Sequence, residues 1–87
     1  MRNVKHSEVV TFTTKGNAIM LIDGKKLTCL DDAVLTNLKC EAIARCEAVD
    51  EVGIRYNLYW EIMNPSAGDF EDCCNWDNVD FIEELDD

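Results

Sequence analysis

The sequence predicts an α+β domain, a small antiparallel sheet with one helix packed across it, and three observations carry that reading. Residues 54–63, I-R-Y-N-L-Y-W-E-I-M, set Ile54, Tyr56, Leu58, Trp60 and Ile62 on every second position, with Arg55, Asn57 and Glu61 between them. Strand side chains alternate between faces, so this run reads as a half-buried strand with five large apolar groups on one side. Residues 18–22, A-I-M-L-I, lead straight into Asp23-Gly24, one of the preferred two-residue hairpin loops. From Asp31 onward, Leu35, Leu38, Ala42, Cys46 and Val49 recur at three- and four-residue spacing, as along one face of a helix.

In chain order, residues 8–14, E-V-V-T-F-T-T, are β-branched and aromatic and read as a first strand, with Lys15-Gly16-Asn17 as its turn. If Ile22 and Lys25 flank the next loop, the hairpin pairs Met20 with Leu27 and Ala18 with Cys29 on the core face. Leu21 then meets Lys26, and Ile19 meets Thr28, on the other face. Asp31 or Asp32 can cap a helix beginning at Ala33, and alanine enrichment favours its continuation. Two endings stay open. Periodicity prefers a helix running through to Val49. The alternative stops the helix near Lys39 and makes residues 41–49 a strand, with Asp50-Glu51-Val52-Gly53 as the turn into Ile54. The chain would then be mostly β with a short helix at about 31–39. Asn64-Pro65 ends the central strand, because proline lacks an N–H for the ladder and disfavours helix before it. Residues 70–78 show no period, and residues 79–85, V-D-F-I-E-E-L, read as a weak last strand or a helical turn.

The 87 residues make a single domain, 1–87, and 47% apolar content supports folding rather than disorder. No stretch approaches the roughly 18 apolar residues of a membrane span, and the first residues lack the pattern of a secretory signal. Five cysteines, Cys29, Cys40, Cys46, Cys73 and Cys74, in a chain without an export signal read as free thiols of a reducing compartment. The expectation is a cytoplasmic protein.

Net charge is −10 and uneven. Five basic residues against two acids give residues 1–30 a charge of +3, whereas three basic residues against sixteen carboxylates give residues 31–87 a charge of −13. A field of that sign repels phosphate backbones and attracts basic surfaces, which disfavours direct nucleic-acid binding.

Little in the sequence supports catalysis or a cofactor. Cys73-Cys74 are adjacent, which suits one tetrahedral ion poorly, and no C-x-x-C pair, H-E-x-x-H or EF-hand spacing occurs. The sole imidazole, His6, lies near the N-terminus, and no G-x-S-x-G, phosphate loop or kinase signature is present. The candidate interaction site is the C-terminal segment, where Asp69, Glu71, Asp72, Asp77, Asp80, Glu83, Glu84, Asp86 and Asp87 surround Phe70, Trp76 and Phe81, with Trp76 and the acids from Asp69 to Glu84 as the candidate contacts. Carboxylates spaced along a rigid body can stand in for phosphates before a basic groove, and Trp76 among them offers an apolar anchor.

By size, acidity, cytosolic cysteines and lack of a catalytic motif, the chain resembles the small acidic proteins that phages encode to block host defences, anti-CRISPR inhibitors and other DNA mimics among them. The resemblance is one of profile and covers the chain as composition. It implies a non-enzymatic, stoichiometric inhibitor that occupies the nucleic-acid site or an assembly surface of a protein partner with a basic surface. The alternatives are a small oligomerising protein that uses a strand edge or the Tyr59/Met63 face, and a zinc-binding module.

Overall fold

The computed structural model describes residues 2–38 and 41–85. Eight strands run β1 (Arg2–Asn3), β2 (Ser7–Phe12), β3 (Ala18–Ile22), β4 (Lys25–Cys29), β5 (Val34–Leu38), β6 (Glu41–Asp50), β7 (Arg55–Glu61) and β8 (Phe81–Glu84). All pairings are antiparallel, in the order β1-β8-β7-β6-β4-β3-β2, with β5 also on β6. The sheet curls into a half-barrel. Its two edges are bridged by the N-terminal segment, whose residues 2–4 follow β8 and the Asp80 carbonyl before β2 crosses to β3.

The hairpin has the register that its turn dictates: Ile22–Lys25, Leu21–Lys26, Met20–Leu27 and Ile19–Thr28. Asp23 at φ +48° and Gly24 at φ +84° supply the two left-handed residues that a type I′ turn needs. The Asp23 carboxylate also accepts from the Lys5 N–H (3.0 Å), the His6 N–H (2.8 Å) and Arg2 (2.8 Å), so one turn residue anchors the crossing segment. The His6 N–H most of all, joined by Arg2 and the Lys5 N–H, holds its carboxyl below the usual carboxylate range against the opposing effect of burial.

The predicted helix does not form, in its long version or its short one at 31–39. Residues 34–38 are β5 and residues 41–50 are β6, while Lys39 and Cys40 lie outside the described residues. The reason lies across the ladder. Tyr56, Leu58 and Trp60 of β7 point into the core, and directly opposite them on β6 stand Ala48, Cys46 and Ala44. Small side chains leave room for large ones, so the inward positions of β6 carry alanine and cysteine. Its period of two is thereby hidden, and tertiary packing overrides the helix propensity of its alanines. The last strand does form, as β8, with Ile82 buried opposite Leu58.

Tyr56, Leu58 and Trp60 are core residues, whereas Ile54 is exposed and Ile62 half-buried. The face expected to be polar is also covered. Asn57 and Tyr59 are buried there in a network: Arg45 donates to the Asn57 side chain (3.2 Å), and both Asn57 (3.2 Å) and the Tyr59 hydroxyl (3.0 Å) donate to Glu83. At the β6–β7 turn, burial pushes the Asp50 carboxyl up. The Ile54 N–H, the Tyr56 hydroxyl and the Val52 N–H outweigh that and hold it below the usual range.

Candidate functional site

Between Cys29 and Val34 the ladder loses step. Cys29 pairs with Ala48 and Val34 with Arg45, so four residues, Leu30 to Ala33, lie opposite two, Cys46 and Glu47. Such a bulge throws extra residues out of the ladder and re-aims their side chains. Here it exposes Asp31 and Asp32, the pair read from sequence as helix caps. The Leu30 N–H still reaches the Glu47 carbonyl (2.8 Å), and the buried Cys46 thiol donates to the Asp31 carbonyl (3.0 Å), which fixes the bulge at both ends.

Facing the bulge is the segment after β7. Its 3-10 turn, Phe70–Asp72, closes with the Asp72 N–H on Asp69 and the Cys73 N–H on Phe70. The Cys73 carbonyl accepts from Met63 (2.7 Å) and Asn64 (3.0 Å), which ties the segment to the end of β7. Trp76 stands edge-on to Trp60 (centroids 5.2 Å) and to Phe70 (5.5 Å). Its indole N–H donates to the Glu71 carbonyl (2.8 Å), while the Trp60 indole donates to the Trp76 carbonyl (3.1 Å).

Between bulge and segment lies a cleft of about 1090 Å³. Met20, Trp60, Cys29 and Cys46 form its floor, and Phe12, Phe70 and Trp76 its aromatic walls. Asp31, Asp32, Asp69, Glu71 and Asp72 line it as well, and among the described residues no lysine, arginine or histidine does. All five acids are exposed, and among the described residues none of their carboxylates accepts a hydrogen bond or joins an ion pair. A smaller hollow of about 360 Å³ at the other end of the β3–β4 hairpin sets Lys25 and Lys26 beside Asp50 and Glu51, and so has no net sign.

The eight residues predicted from sequence are divided by the fold. Asp69, Glu71, Asp72 and Trp76 meet in the cleft. Asp77 and Asp80 are tied to the backbone: the Asp77 side chain accepts from the Val9 N–H (3.2 Å) and its carbonyl from the Ser7 hydroxyl (2.5 Å), and Asp80 takes the Glu61 N–H (2.6 Å). Glu83 belongs to the Asn57–Tyr59 network on the other face of the sheet, and Glu84 pairs in register with Tyr56. Asp86 and Asp87 lie outside the described residues. Sequence reading missed Asp31, Asp32 and Phe12 as cleft residues. Two consecutive aspartates after a hairpin strand were a signal for the bulge, but a capped helix explains the same pair.

The two thiols on the cleft floor shift in opposite directions, and the hydrogen bond with Cys29 draws Cys46 below the usual thiol range. A hydrogen bond with Cys46 and burial together push the Cys29 thiol up, so it keeps its proton at neutral pH. Burial and Cys73, whose sulfur is 3.4 Å away, push Cys74 up to about 12. Nucleophilic chemistry needs the thiolate, and the surroundings of Cys29 and Cys74 oppose it. Among the described residues no group of three or more His, Cys, Asp and Glu is placed to hold a metal ion, and no helix is long and apolar enough to cross a membrane. No protein-family model matches the chain, and no curated protein or solved structure is similar to it at the level of a significant match.

Proposed function

We propose that the protein is a non-enzymatic binding module whose acidic cleft receives a basic segment of a protein partner that handles nucleic acid, acting as a stoichiometric inhibitor in a reducing cytoplasm. One observation carries this reading: five exposed carboxylates, without a partner among the described residues, surround an aromatic hollow that no described basic residue lines. Asp77, Asp80 and Glu83 of the C-terminal segment differ, since they are committed to internal hydrogen bonds, and the exposed Glu84 lies outside the cleft. Carboxylates left in water beside Trp76 and Phe70 suit lysine and arginine side chains, whose stems lie on aromatic faces while their heads meet the rim. A segment built to grip phosphates has that chemistry, so holding it here would keep nucleic acid away. The free thiols Cys29, Cys46, Cys73 and Cys74 fit the reducing compartment.

The test is a tryptophan-fluorescence titration with the heptapeptide Lys-Val-Lys-Thr-Lys-Val-Lys, since Trp60 and Trp76 both report on the cleft. Affinity is expected to fall at least about tenfold between roughly 0.05 and 0.5 M salt, because exposed charge pairs are screened over that range. An affinity indifferent to salt would contradict capture by charge.

A further inference from the structure

The cleft opens beside a strand that has kept one edge free. β5 pairs with β6 alone, and among the described residues nothing pairs its other side. Its sequence, V-L-T-N-L, contains no charge and no proline, and Val34 and Leu35 are 49% and 59% exposed. Natural edges are usually blunted by lysine, proline, a bulge within the strand or a covering loop, and among the described residues none of those falls on Val34–Leu38. The bulge that carries Asp31 and Asp32 comes just before it instead. Register places Leu35, Ala44 and Trp60 in one row across β5, β6 and β7, so Leu35 continues the cleft side of the sheet to its border.

We propose that the outer edge of β5 takes an extended, lysine- or arginine-bearing segment of the basic partner as an added strand. This rests on the cleft reading and adds how the segment is held. Main-chain hydrogen bonds to β5 would supply affinity independent of sequence, and alternate side chains would turn toward the acids and aromatics of the cleft. A second copy of this chain is the wrong occupant. Two bodies of charge −10 repel. An extended cationic segment meets complementary charge there, and its alternating pattern matches the period of a strand.

The experiment compares the heptapeptide Lys-Val-Lys-Thr-Lys-Val-Lys with two derivatives, N-methylated at its odd or at its even residues, all binding the unmodified protein. Successive amides of a strand point to opposite edges, so one derivative loses the hydrogen bonds that face β5 and the other does not. The expected result is at least a tenfold loss of affinity for one derivative only, with slowed amide hydrogen exchange in Val34–Leu38 when the parent peptide is bound. Equal binding of all three peptides, or equal loss in both derivatives, overturns strand addition and leaves the acidic cleft standing. Failure of the parent peptide to bind at low salt overturns both.

Discussion

Replacing Leu58 with alanine is expected to lower the unfolding free energy by about 2–5 kcal/mol, the range for emptying a buried leucine site. Leu58 has no exposed surface, and it is flanked in register by Cys46 on β6 and Ile82 on β8. Neither neighbour can fill the space. Cysteine is small, and Ile82 is already held in the ladder. An 87-residue domain at roughly 0.05–0.15 kcal/mol per residue has only about 4–13 kcal/mol in total, so the variant loses a large share of it. Val52→Ala, at a position 80% exposed in the β6–β7 turn, serves as the control and should stay within about 0.5 kcal/mol. Urea denaturation of both variants checks this, and a Leu58→Ala loss below about 1 kcal/mol would mean that the strand pairing described for β6, β7 and β8 is wrong.

Trp76→Ala should act on folding and binding together. The ring closes the core over Trp60 and braces Phe70, while its indole N–H holds the Glu71 carbonyl. Trp76 is half-buried, so truncation should cost about 2–3 kcal/mol, below the range for a fully buried aromatic. Loss of the wall and loosening of the turn that carries Asp69, Glu71 and Asp72 should weaken binding of the lysine heptapeptide by about tenfold or more. Trp76→Phe keeps a ring against Trp60 and lacks the indole donor, so it should recover most of the stability. Denaturation and titration of the two variants, side by side, separate packing from the hydrogen bond. A Trp76→Ala protein that unfolds and binds like the parent would remove this residue from both roles.

The parts of the fold that could be read in the sequence are those in which a local rule and the global packing agree. Asp23-Gly24 specifies its hairpin because only two left-handed residues close that loop, and the register follows. The run from Tyr56 to Trp60 reads as a strand because its inward side is uniformly large. β6 is its complement and was legible only as the alternative that made residues 41–49 a strand turning at residues 50–53, since the alanines and cysteine that make room for those large groups are also helix formers or neutral. The candidate site was half legible. Acids and aromatics close together in sequence at 69–76 do meet, but Asp31 and Asp32 join them only because a bulge inserts two residues between β4 and β5. Asp77, Asp80 and Glu83 look identical to their neighbours in sequence, and only the fold around them, backbone N–H groups for the aspartates and the Asn57 and Tyr59 side chains for Glu83, makes them internal hydrogen-bond acceptors.

Location rather than quantity of charge is what the cleft reading asserts, and one paired charge reversal separates the two. Asp31, Asp32, Asp69 and Asp72 are changed to lysine in one variant, and Glu8, Glu51, Glu61 and Glu84, all exposed and none lining the cleft, in the other. Both variants have the same net charge. Titrated with the lysine heptapeptide at low salt, the first should lose about a hundredfold or more in affinity, as four attractive contacts become repulsive. The second should lose less than about tenfold, through the long-range field alone. Equal losses in the two variants would show that the peptide responds only to overall acidity and that the cleft is not its site.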